Sequence, residues 1–148
     1  MSRRFPLQSL VDLSADRVDA AERRLQALHA DRRHAQEKLD QVEAYRVEYR
    51  ERLQRSLAQG MSVTQVRDFH AFLSRLDEAC RQQAAEVALR EAAHAAGQNE
   101  WLEQRRRKSA FDALSTRHRQ SENMREAKHE QRLQDDHAQA MVRAAKGE

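Results

Sequence analysis

Isoleucine is missing from this 148-residue chain, and valine and threonine together number only ten. So few β-branched residues argue against a sheet. Three glycines and one proline are too few for the many turns of an ordinary globular domain. The single cysteine cannot close an internal disulfide, so nothing calls for an oxidising compartment. With so few residues suited to sheets and turns, a compact enzyme with a roomy apolar pocket is not expected. No apolar run approaches the ~20 residues that a membrane-spanning helix needs. The opening stretch to Leu7 carries Arg3 and Arg4 but no apolar segment after them, so a signal peptide is not expected and the cytoplasm is the expected location. Neither sign of charge dominates: 27 basic residues against 24 acidic leave a net charge of +3.

What is present is helix-forming. Alanine, leucine, glutamate, arginine and glutamine dominate, all with high helix propensity. A seven-residue repeat organises them. In one register the a positions are Val11, Val18, Leu25, Arg32, Leu39, Arg46 and Leu53. The d positions are Leu7, Ser14, Ala21, Leu28, Ala35, Val42 and Tyr49. All but Ser14, Arg32 and Arg46 are apolar or aromatic, and a run of that length reads as coiled coil.

The repeat breaks at Gln59-Gly60-Met61-Ser62. Gly60 suits the left-handed residue just past a helix end. Ser62 to Gln65 matches a capping box, with Met61 and Val66 at the two staple positions. A second repeat begins at Val66, with Leu73, Cys80, Val87, His94 and Trp101 at a. Its d positions are Phe69, Leu76, Gln83, Arg90, Gly97 and Gln104. The seam weakens after Val87 and resumes with Trp101, Phe111 and Leu114. The stretch from Ser115 is nearly all polar.

The expected architecture is therefore an all-α, long antiparallel two-helix coiled-coil hairpin with the second helix longer. As one coiled-coil domain it divides into a helix over about 6–58, a turn over about 59–63, a helix over about 64–140 and a frayed C-terminal tail. At 1.5 Å per residue such helices would make a rod. Antiparallel pairing predicts that the numbers of facing residues add to a constant. Leu53 with Phe69, Tyr49 with Leu73, Ala35 with Val87, Leu25 with Gly97 and Ala21 with Trp101 all obey one such register. Arg32 would face Arg90, which forces both side chains outward and predicts local loosening.

A rod offers no catalytic cleft. Cys80, at an a position, reads as a small core residue. The seven histidines lack the spacing of a metal site, which needs three or four converging ligands, so neither metal nor cofactor is expected. The run Arg105-Arg106-Arg107-Lys108 is flanked by Glu103 and Asp112 and reads as a solvated helix face rather than a nucleic-acid contact. The aromatics say more. Tyr49 and Phe69 fall in the seam, whereas Tyr45 and Phe72 fall at g. In an antiparallel pair the two g edges adjoin, so Lys38, Tyr45 and Arg52 line the same edge as Phe72, Ala79 and Glu86. Two aromatics on one solvent-facing edge mark either a partner-docking patch or rings folded over the seam.

These residues, taken together, resemble the FliJ family of flagellar type III export proteins. The resemblance rests on Phe5-Pro6-Leu7-Gln8-Ser9-Leu10-Val11-Asp12-Leu13, on Asp19-Ala20-Ala21 and on Tyr45-Arg46-Val47-Glu48-Tyr49-Arg50. It continues through Gly60, Phe72-Leu73, Leu76, Glu78, Ala79, Trp101, Lys108, Leu114, Arg117 and the charged stretch with Asp135-Asp136 and Ala138. It covers nearly the whole chain. It implies a soluble, non-enzymatic coiled coil similar to the rotor stalk of rotary ATPases. Such a stalk binds the hexameric export ATPase and promotes its ring formation and ATP hydrolysis. It also contacts the cytoplasmic region of the export gate protein FlhA and cycles export chaperones, without inserting into the membrane. Gate and chaperone contacts map by this resemblance to Tyr45, Tyr49, Phe72, Leu76 and Ala79, with Val42 and Gln83 nearby. ATPase contacts map to Leu10, Val11, Asp12, Leu13, Arg17, Phe111, Leu114 and Arg117. The implied location is the cytoplasmic side of the inner membrane at the flagellar base. An injectisome stalk or a generic coiled-coil scaffold would share the same repeat.

Overall fold

The computed structural model describes residues 3–147. Two helices account for nearly all of them: α1 over Gln8–Gln59 and α2 over Val63–Lys146. They form the expected antiparallel hairpin, and the second helix is the longer. Among the described residues there is no strand, as the scarcity of β-branched side chains predicts.

The turn is built as its sequence dictates. Gly60 takes φ +94°, a left-handed conformation that costs glycine nothing because it has no Cβ, and its N–H donates to the Leu57 carbonyl at 3.2 Å. The capping box then closes in both directions. The Gln65 N–H donates to Ser62 Oγ at 3.2 Å, and the Ser62 N–H donates to Gln65 Oε1 at 3.1 Å. Two orphan donors at the start of α2 are thereby satisfied. Met61 and Val66 are both half-buried across the cap.

The chain divides into two compact units, Ala20–Trp101 and Met1–Asp19 with Leu102–Glu148. In the Ala20–Trp101 unit the heptad positions carry the core. Ala21, Ala35, Leu39 and Leu53 of α1 are buried, as are Leu73, Leu76, Cys80 and Val87 of α2. Ala35, Leu39 and Val87 form one cluster. Leu53, Leu73 and Leu76 form another, with Tyr49, Met61, Phe69 and Phe72 packed against it. Gly97 lets the helices approach: a Cβ there would lie 2.5 Å from Leu28 Cδ1.

The polar seam residues of this unit each find an outlet. Gln83 donates from Nε2 to the Ala35 carbonyl at 3.0 Å, bridging the helices. Arg46 sends Nη1 to Asp77 Oδ1 at 3.3 Å, and Arg50 reaches the same oxygen at 3.2 Å. Arg32 and Arg90 diverge. Arg90 turns out to Glu86 at 2.8 Å and toward Asp31 at 3.8 Å, while half-buried Arg32 lies between buried His94 and exposed His29.

In the other unit, the non-helical segment before α1 lies against α2. The Phe5 ring is 5.2 Å from the His118 ring. His118 Nε2 donates to the Arg3 carbonyl at 2.9 Å, and the Arg3 N–H donates to Glu122 Oε2 at 3.3 Å. Glu122 is buried and also holds Arg125 at 3.2 Å. The seam here runs through half-buried Phe111, Ser115 and His118 and buried Glu122. Leu114, expected to resume it, is 42% exposed. The reason is geometric: Leu114 falls one residue short of the a position held by Ser115, on the outer edge. From residue 127 to 147 every residue is exposed, although α2 remains helical to Lys146.

Candidate partner-docking surfaces

The gate and chaperone residues named by resemblance all lie in the Ala20–Trp101 unit. Four aromatic rings converge there from the two helices. Tyr49 sits 5.1 Å from Phe69 and 4.5 Å from Phe72. Tyr45 meets Phe72 edge-on at 6.3 Å and lies 6.3 Å from Tyr49. The Tyr45–Phe72 contact crosses from α1 to α2 along the g edges, where the heptad register puts both residues. Such tilted and edge-on pairs suit the charge distribution of aromatic faces and edges.

Burial grades this cluster from inside to outside. Leu76 is core. Tyr49, Phe69 and Phe72 are half-buried, and Tyr45 is 43% exposed. Of the two edge aromatics, Phe72 folds over the seam with Tyr49, while Tyr45 presents a ring to solvent. A shallow groove continues along the same edge past Lys38, Val42, Ala79, Gln83 and Glu86. Gln83 is committed to the Ala35 carbonyl and lends the groove no free amide donor on that bond.

The residues mapped to ATPase contact lie in the other unit. Leu10, Leu13 and Leu114 are exposed at 39%, 42% and 42%. Val11 and Phe111 are half-buried and anchor the seam beneath them. Asp12 accepts from Gln8 Nε2 at 3.1 Å, and Arg17 and Arg117 are exposed. Leu10 and Arg17 of α1 and Leu114 of α2 all occupy g positions, so antiparallel pairing gives them one edge in common. Asp12, the three leucines and the two arginines supply the accessible surface, with half-buried Val11 and Phe111 beneath.

The family model for the flagellar FliJ protein matches residues 2–147. The chain belongs to the flagellar FliJ family. No curated protein and no solved structure matches it. Membership makes this FliJ-family chain a flagellar export-associated protein.

Other features of the FliJ-family chain bear on chemistry only weakly. Cys80 is buried at its a position and unpaired. Among the described residues no group of three or more His, Cys, Asp or Glu side chains could hold a metal ion, and no helix is long and apolar enough to cross a membrane. In the basic run, Arg106 and Arg107 pair with Glu103, and Lys108 pairs with Asp112 at 2.8 Å. Hydropathy missed two arrangements: the docking of Arg3 and Phe5 on α2, and the pairing of Arg32 with His29 and His94. Continuing the heptad past Leu114 would have placed Ser115, His118 and Glu122 on the seam.

Proposed function

We propose that this FliJ-family chain is the stalk-like component of the export apparatus that binds the export ATPase hexamer and stimulates it. It also contacts the gate protein FlhA and cycles export chaperones. It acts without enzymatic chemistry of its own, at the cytoplasmic side of the inner membrane. The carrying observation is the Tyr45–Phe72 edge, an aromatic contact across both helices that leaves Tyr45 43% exposed. An exposed ring fixed on a rigid helix loses little freedom on binding, which is how aromatic anchors concentrate affinity at interfaces.

Two surfaces divide the work. The Tyr45, Phe72 and Ala79 edge, with Val42 and Gln83 beside it and Tyr49 and Leu76 beneath, receives the gate and chaperones. Leu10, Asp12, Leu13, Arg17, Leu114 and Arg117, with Val11 and Phe111 beneath them, receive ATPase subunits. Contacts that differ around a ring would bias neighbouring subunits toward different nucleotide states, since a ligand shifts an equilibrium only through differential affinity.

The test is a pair of measurements on one double variant. Tyr45→Ala with Phe72→Ala should weaken capture of the cytoplasmic region of the gate at least tenfold, in line with loss of two anchor rings worth about 1–2 kcal/mol each. It should leave stimulation of the cognate ATPase intact. Unchanged gate capture would overturn the assignment of this edge.

A further inference from the structure

Within the Ala20–Trp101 unit, His94 occupies a seam position where the heptad calls for an apolar residue. It is 8% exposed. Arg32 reaches it from α1. One guanidinium nitrogen of Arg32 lies 3.4 Å from His94 Nδ1, and the other lies 3.1 Å from His29 Nδ1. The two imidazole rings are 5.6 Å apart. A guanidinium has only donors. Both Nδ1 atoms must therefore accept, which requires each ring to be neutral with its proton on Nε2. An imidazolium has no lone pair to offer, so a proton on either ring abolishes the bond and sets two cations against each other.

We infer that His29, Arg32 and His94 form a proton-operated release point between α1 and α2: a proton on His94 ejects Arg32 and opens the seam at that layer. The seam is closely packed on one side of the rings and borders a cleft on the other. Leu25, Trp101 and Glu22 line the cleft beside the two rings, and Gly97 brings α2 so near Leu28 that little slack remains. The charged groups around His94 are few. Arg32 and His29 face it from α1, and Glu22 borders the same cleft. On α2, Glu91 lies one turn earlier, and Arg90 is already engaged by Glu86 and Asp31.

The direction of the effect follows. Burial first, then the Arg32 charge and His29, hold the His94 imidazole below its ordinary value. The opened state therefore binds more protons than the closed one. The stability this layer contributes is complete above the ordinary imidazole value of about 6.5 and is lost as pH falls below it.

Histidine-labelled NMR of the full chain tests this directly. The His94 ring should titrate at lower pH in the folded protein than in the same chain unfolded in urea, and Arg32→Gln should move its midpoint up. Amide protection around residues 28–32 and 93–97, corrected for intrinsic exchange, should fall several-fold between pH 7.5 and 5.5. It should lose that dependence in His94→Gln. A His94 midpoint equal in folded and unfolded chains would overturn the inference, as would an unaltered pH response in His94→Gln. If His94→Gln does not fold, the wild-type and Arg32→Gln titrations still decide.

Discussion

Ser62 is a single hydroxyl that starts an 84-residue helix. Its reciprocal bonds with Gln65 join two backbone N–H groups to side-chain oxygens. Removing that oxygen leaves the Gln65 N–H to find water. Ser62→Ala should cost about 1 kcal/mol, read as a lower urea midpoint with an unchanged slope. Elsewhere, side chains of the same type diverge in role according to one neighbour. Arg46 and Arg32 both sit at a positions. Arg46 finds a carboxylate in Asp77, whereas Arg32 finds two imidazoles. The heptad could place these side chains at the interface but could not assign their partners, which lie on the other helix or one turn away.

At the scale of the helices, what could be read in advance was periodic or local. The turn at Gly60, the cap at Ser62 and the burial of Leu39, Leu53, Leu73 and Val87 all follow from spacing, because each depends on neighbours within a turn or on a repeat of seven. The Tyr45–Phe72 contact also followed, since g edges adjoin in any antiparallel pair. Leu114 did not. Hydropathy prefers a leucine to the adjacent Ser115, yet phase decides burial, and the phase favours Ser115, His118 and Glu122. Polar residues at such positions send no apolar signal, and Glu122 is tolerated there because the Arg3 N–H and Arg125 satisfy it.

The same scale separates the supported part of α2 from the rest. Residues 127–146 are all exposed, so their helical state rests on propensity and on end effects such as Arg143 and Lys146 in the last turn. A chain ending after Glu126 should therefore unfold at the wild-type urea midpoint, with a smaller loss of helical circular dichroism on unfolding. A drop in the midpoint would mean that these residues support the hairpin.

For the molecule as a whole, near-balanced charge leaves specificity to placed side chains rather than to a field. Net charge is only +3, and most cations of the basic run are matched within one helical turn. Exposed pairs of this kind contribute about 0–1 kcal/mol each. Function on the proposed reading then divides between surfaces that can be altered one at a time. Leu10→Gln with Leu114→Gln removes accessible apolar area without touching the core, so the melting temperature should stay within a few degrees. Stimulation of the export ATPase should be lost while gate capture persists, the converse of the Tyr45 and Phe72 double variant. Equal loss of both activities in either variant would refute the division.

The glycine-and-cap turn also sets an order in time. Contacts across it, such as Tyr49 with Phe69, enclose a short loop, whereas Phe5 with His118 encloses most of the polypeptide. Loop-closure entropy rises with the length enclosed, so the first lasting contact forms beside Gly60 and each later one closes only a small increment. Nucleation is thereby confined to one place. That confinement discourages out-of-register pairing, a standing hazard for a repeat whose every heptad looks much like the next.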